Sequence, residues 1–207
     1  MKFYSQHKQD EYVFNTFFTN KRDGFFVDIG AYDGVVLSNT YFFEKELGWK
    51  GICIEPQTKQ YELLLKNRNC ICVNGCVADF TGKGLFLEIE GYSTMLSGLI
   101  EKYDENHLKR IEHETSTLGG SKKQVEVECY LLNDLLKKNF VKNVDFCSID
   151  VEGAELDILK TIDFKNFHFN IFSIENNNKN LTIQNFMEQN GYKMVKVLDC
   201  DEIYVKT

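Results

Sequence analysis

The chain reads as a single doubly wound α/β domain, a mostly parallel sheet with helices on both faces. Three observations predict it. Short apolar runs of strand length alternate with helix-length segments, as in successive βαβ units. The first run, 25–29 (Phe-Phe-Val-Asp-Ile), passes straight into a glycine-rich turn at 30–34. The chain has 207 residues, 43% of them hydrophobic, with Pro56 the one proline, which suits one sizeable core of uninterrupted regular structure.

The elements follow in order. After the first strand, Gly30-Ala-Tyr-Asp-Gly34 offers no notable helix former. Ser38, Asn39 and Thr40 supply capping side chains for a helix running to about Leu47, and Gly48 stops it. A second strand at 51–55 ends at Pro56, and a helix at about 57–67 and a strand near 70–73 follow. Residues 84–90 form a further strand. The stretch 91–123 is polar, carries His107 and His113, and reads as a partly helical insertion with a Gly119-Gly120 hinge. Strand signals resume at 125–131, and 145–149 is buried, followed by an acidic turn and a helix to about Ile162. A strand at 169–174, a helix at about 181–190 and two closing strands at about 192–198 and 202–206 complete the sheet.

Charge and cysteine usage narrow the function. A net charge of −7 disfavours nucleic acid and anionic membrane as partners, since both call for a basic surface. No apolar run is long enough to span a bilayer, and the polar start, Met-Lys-Phe-Tyr-Ser-Gln-His, lacks the apolar core of a signal peptide. The expected compartment is the reducing cytosol. Seven cysteines, an odd number, lie mostly in apolar strand-like runs and read as small buried hydrophobes. No CxxC pair or nearby histidine completes a zinc site around Cys70, Cys72 and Cys76.

A glycine-rich turn after the first strand is where doubly wound folds hold a nucleotide. Here Tyr32 takes the place of the second glycine of the dinucleotide fingerprint, and Asp28 and Asp33 put negative charge where a pyrophosphate would lie. S-adenosylmethionine has no phosphate and carries an ammonium and a sulfonium, which acids suit. Glu55, at the end of the second strand, is placed to accept both ribose hydroxyls. Asp150-Val-Glu-Gly-Ala-Glu155 crowds three acids onto another strand end. In such sheets the crevice lies at the carboxyl ends of the strands, so Asp28, Glu55, Asp150 and Glu175 should converge on one edge.

In order, Phe26-Val-Asp-Ile-Gly-Ala-Tyr-Asp-Gly34, Ser38-Asn-Thr40, Ile54-Glu-Pro56, Ile149-Asp-Val-Glu-Gly-Ala-Glu155 and Ile174-Glu175 resemble the FkbM family of methyltransferases. The opening Ser5-Gln-His-Lys-Gln-Asp-Glu11 is similar to that family's N-terminal segment, so the resemblance runs from about 5 to 206. It implies the class I methyltransferase (Rossmann-like) fold, a seven-stranded sheet with an antiparallel last strand, S-adenosylmethionine, and usually transfer to a hydroxyl oxygen. Many relatives act on sugars or other glycan and secondary-metabolite building blocks. It also implies roles. Asp28, Gly30 and Asp33 would line the methionine side of the cofactor, and Glu55 would hold the ribose. Ser38, Asn39 and Thr40 would cap the first helix near the cofactor carboxylate, and Val77 and Asp79 would contact the adenine.

Methyl transfer is an in-line displacement at a carbon that the cofactor has already activated, so the protein supplies position and electrostatics. A hydroxyl acceptor needs a base, or a metal that lowers its pKa. Glu152 is the candidate base, with Asp150 beside it. A related class of sugar methyltransferases binds magnesium through a similar acidic motif and a later acidic pair. That likeness implies Asp150, Glu175 and Asn176 as possible magnesium ligands, Asn176 offering a neutral oxygen where the pattern has an acid. The metal-free alternative keeps Glu152 as base. Three further readings remain open: a nitrogen or non-sugar acceptor, an NAD-dependent oxidoreductase, and a non-catalytic binding module. Tyr32 and the acidic surroundings speak against the second, and the crowded acids against the third. The chain could be a free enzyme or a domain of a larger glycan-assembly protein.

Overall fold

A computed structural model describes residues 1–177 and 179–207. Eleven strands and seven α-helices follow one another along these residues. The N-terminal helix α1 (Gln9–Val13) leads to β1 (Phe25–Ile29), α2 (Tyr41–Leu47), β2 (Lys50–Glu55), α3 (Thr58–Asn67) and β3 (Ile71–Asn74). Next come β4 (Cys76–Val77), β5 (Gly82–Gly91), β6 (Gly98–Leu99), α4 (Glu105–Leu118) and β7 (Gly120–Tyr130). The rest is α5 (Leu132–Lys138), β8 (Asn143–Ile149), α6 (Glu155–Thr161), β9 (His168–Glu175), α7 (Leu181–Gln189), β10 (Tyr192–Leu198) and β11 (Asp201–Lys206).

The main sheet has seven strands in the order β10-β11-β9-β8-β1-β2-β3, parallel except for β11, which runs antiparallel to both neighbours. This is the class I arrangement expected. Strand order reverses between β1 and β8, which opens a crevice at their carboxyl ends. Helices cover both faces, so β1, β2 and β8 are buried almost throughout. One face packs Ile52, Leu136, Ile158, Phe172 and Tyr204 into its core; the other packs Phe26, Phe42, Phe43, Trp49 and Phe146.

The stretch 91–123 is partly helical, as expected, through α4, and its two ends run in a second sheet. β5 and β7 pair antiparallel along their whole length, from Gly82 opposite Cys129 to Gly91 opposite Gly120. With β4 and β6 they make a second, four-stranded sheet. Gly120 belongs to that ladder, so the Gly119-Gly120 pair lies at a helix-to-strand junction. α4 is tied to this sheet by Ile111, which packs with Ile89 and Leu96 in a small core of its own. Among the described residues, no helix is long and apolar enough to cross a membrane.

Candidate functional site

Strand register builds the site. Ile29 lies opposite Ile54 of β2 and Ile149 of β8, and Ile149 lies opposite Ile174 of β9. The residues that follow, Gly30, Glu55, Asp150 and Glu175, therefore come to one edge of the sheet. All four line a cavity of about 480 Å³, together with Asp28, Asn39, Val77, Glu152 and Gln9.

Gly30 is where the two halves of the sheet meet. Its φ is +85°, and a Cβ there would lie 1.9 Å from the Asp150 carbonyl oxygen. Its N–H donates to the Ile54 carbonyl at 3.1 Å, and the Asp150 N–H donates to the Ile29 carbonyl, also at 3.1 Å. Only glycine lets three strand ends approach this closely.

Glu55 is buried. Its Oε2 accepts from the Tyr32 N–H at 2.9 Å and its Oε1 from the Gln57 N–H at 2.8 Å. The carboxylate thus pins the glycine turn to the β2 end, and each oxygen keeps capacity to accept a further hydrogen bond. Burial pushes its pKa up to about 7, against the opposing pull of the two N–H groups.

Beneath the cleft lies a buried polar network. Thr40 Oγ1 donates to Asp28 at 2.5 Å, Arg68 donates to Thr40 Oγ1 at 3.0 Å and to Glu44 at 2.5 Å, and an Arg68 amino group lies 4.0 Å from Asp28. Burial nonetheless raises the Asp28 carboxyl. Ser38 Oγ accepts from the N–H groups of Thr40 and Tyr41, so it caps α2. Asn39 donates to Ser148 at 2.9 Å and leaves its own oxygen buried without a partner.

The acidic edge is the most polarised part. Asp150, Glu152 and Glu175 bring one carboxylate oxygen each to within 4.8 Å of one another. Glu152 adopts φ 60°, a left-handed conformation that costs a non-glycine residue on the order of 1–3 kcal/mol. Its Oε2 is buried without a hydrogen-bond partner, 3.5 Å from His107 Nε2, which also has none. Loss of hydration, then the charges of Asp150 and Glu155, raise the Glu152 carboxyl far above the ordinary range. Asp150 meets water through the cleft, yet surrounding protein, with Asp201 and Glu155, raises it too. Glu155 plays a bracing part, accepting from the N–H groups of Val151 and Gly153. Gly153, at φ +114°, lets the Lys102 carbonyl pass where a Cβ would lie 2.8 Å from it.

Several expected site residues lie elsewhere. Asp33 accepts from the N–H groups of Val35 and Val36 and shapes the turn, outside the cavity wall. Ser38 and Thr40 face the Asp28 network, and Asp79 pairs with Lys102 at 3.0 Å; none of the three lines the cavity. The Asn176 amide nitrogen donates to Glu202 and to the Asn180 carbonyl, and a carboxylate of Glu152 stands with those of Asp150 and Glu175. The cysteines are all free, but Cys70, Cys72 and Cys200 are only half-buried.

Three site residues had no local signal. His107 and Arg110 arrive on α4, some forty residues before Glu152 in the chain. Gln9 was visible only as part of the opening motif; it is buried and donates to Asp201 at 2.8 Å, closing the β11 side of the cleft.

The geometry has counterparts among known proteins. The family model described as methyltransferase FkbM domain matches residues 28–194. Methyltransferase sdnD of Sordaria araneosa is 28% identical over 159 residues, covering 67% of this chain and 60% of its own length. The crystal structure of methyltransferase FkbM from Methylobacillus flagellatus KT superposes with a TM-score of 0.53 at 12% identity. That match takes in 94% of this chain and 47% of the other. The chain therefore spans about half to three fifths of the length of these relatives.

Proposed function

The chain belongs to the methyltransferase FkbM domain family, and on that premise we propose that it transfers a methyl group from S-adenosylmethionine to a hydroxyl oxygen of a sugar in a glycan or glycoconjugate. One observation carries the cofactor. Asp28, Glu55, Asp150, Glu152, Glu175, Asp199 and Asp201 line the cleft, and among its described lining residues Arg110 is the one cation. Such a field repels phosphate and draws a cationic ligand. The partnerless Asn39 oxygen in the same wall suits an ammonium donor.

Glu55 would hold the ribose, Val77 and Cys76 would pack against the base, and Gly30 would let the ligand backbone pass close. The bound cofactor supplies a methyl carbon already activated for attack. Glu152 would accept the proton of the acceptor hydroxyl through its partnerless Oε2 at the acidic edge. The donor set of Asp150, Glu152 and Glu175 also fits an oxygen-seeking dication such as magnesium, which would lower the pKa of a hydroxyl held there.

Thermal shift and methylation assays test this reading. S-adenosylhomocysteine should raise the melting temperature by mass action and NAD should not. Incubation with S-adenosylmethionine and candidate glycans should add one methyl per product by mass spectrometry. Stabilisation by NAD alone would overturn it.

A further inference from the structure

Beside the cofactor cleft lies a second cavity of about 480 Å³, walled by α4 and the N-terminal end of α7 and floored by the loop before α6. It shares Glu152, Glu175 and Arg110 with the first cavity, so the two meet at the acidic edge. Its wall adds Asn106, His107 and Thr182, which the first cavity lacks. We infer that this second cavity is the acceptor site, and that it takes a polyhydroxylated molecule without negative charge. The inference rests on the methyltransferase reading and deepens it.

Position argues first. S-adenosylmethionine carries its methyl on the sulfonium, between the ribose and the amino-acid end, within the cleft that holds Glu55, Asp150 and Glu152. In-line attack requires the acceptor on the face of that methyl carbon away from the sulfur, and the second cavity meets the cleft at Glu152, Glu175 and Arg110.

The wall chemistry argues next. Lys102 is occupied by Asp157 at 2.8 Å and Asp79 at 3.0 Å, and Arg110 by Glu114 at 2.8 Å. The cations here are thus already paired. What lacks a partner is Glu152 Oε2, in a residue more than nine-tenths buried, and beside it His107 Nε2. A ligand hydroxyl can both donate and accept, so it satisfies that oxygen whether the carboxyl is ionised or protonated. Glu152, Glu155 and Glu175 line the cavity while its cations are already paired, so a phosphate or carboxylate on the ligand would find no counter-charge there. An apolar acceptor would leave Glu152 unsatisfied, at a cost comparable to a lost hydrogen bond.

The test uses the protein saturated with S-adenosylhomocysteine, with backbone amide shifts as readout and methyl glucoside, glucuronate and glucose 6-phosphate as probes. Methyl glucoside should shift Asn106, His107 and Thr182 and leave Gln6, Leu37 and Cys200, which line the first cavity and not the second, in place. Glucuronate and glucose 6-phosphate should bind at least about tenfold more weakly. Asn106→Trp, which fills the cavity, should weaken methyl glucoside by at least about tenfold without changing S-adenosylhomocysteine affinity. That unchanged affinity also certifies the fold, and Thr182→Trp repeats the test from the opposite wall. Shifts confined to Gln6, Leu37 and Cys200, equal binding of the anions, or no shift up to the solubility of the glucoside would each overturn the assignment. Failure of S-adenosylhomocysteine to bind at the outset would instead count against the methyltransferase reading.

Discussion

At the scale of the residue, two carboxylates divide the work and can be separated by substitution. Glu152→Gln keeps the shape and removes the basicity, so turnover should fall by roughly 10²–10⁴-fold with cofactor affinity nearly intact. Wild-type turnover in that variant would move the base to another group, His107 being nearest at 3.5 Å. Glu55 should govern cofactor affinity instead. Its pKa of about 7 in the free protein leaves it shared between protonated and ionised forms near neutrality. Ribose hydroxyls donate better to the ionised form, so affinity for S-adenosylhomocysteine should rise from about pH 6 to about pH 8. Glu55→Ala should cost on the order of 2–4 kcal/mol of that affinity and flatten the pH dependence. Calorimetry at three pH values reads both, and an unchanged affinity in the variant would place the ribose elsewhere.

At the scale of the element, the loops at the strand ends depend on one another, because each leans on a neighbour's backbone. Gly30→Ala would drive a Cβ into the Asp150 carbonyl and demand an unfavourable φ. Something must shift, and the shift falls on both the β1 and β8 loops. Cofactor affinity should drop at least about tenfold and stability by roughly 1–3 kcal/mol, measured by titration and denaturant melts. A variant that binds normally would show the two loops to be independent. α4 stands in a different position. It holds His107 and Arg110 over the acidic edge, yet it buries only Ile111 of its fourteen residues. Few buried contacts mean low local stability, so α4 amides should exchange faster than those of β8, where six of seven residues are buried. Equal protection in hydrogen exchange would count against α4 moving when the acceptor enters.

At the scale of the whole molecule, the cleft concentrates acids that hold their protons more tightly folded than unfolded. Burial raises Asp28, Glu55, Glu155 and Asp201 alike, and for Glu55 the folded value is about 7. Between the ordinary carboxylate range, about 4, and that value, the folded state binds more protons than the unfolded chain. Stability must therefore fall as pH rises through this window. Asp157 and Glu114, lowered by Lys102 and Arg110, act in the opposite sense only at or below about pH 4. The ligand-free protein should melt higher near about pH 5.5 than near about pH 8, and a melting temperature that climbs across that range would contradict the burial of these carboxyls.

What the sequence by itself determined is the main sheet and the acids along its edge. Apolar strands, amphipathic helices and glycine turns are local patterns, and an acid that follows a parallel strand is carried to the carboxyl edge by register alone. Asp28, Glu55, Asp150, Glu152 and Glu175 were legible for that reason. The pairing that frames the stretch 91–123 was not, because β5 and β7 join residues from 29 (Gly91 to Gly120) to 47 (Gly82 to Cys129) positions apart, and a polar ladder has no apolar alternation strong enough to announce its partner. Tertiary structure alone decided which acids face the cleft. Asp33 satisfies nearby N–H groups, Thr40 turns to Asp28, Asn176 to Glu202, and Asp79 to Lys102. It also decided that His107 meets Glu152. Such choices rest on which unpaired donor or acceptor lies nearest once the chain is folded, and that distance exists only between elements remote in sequence.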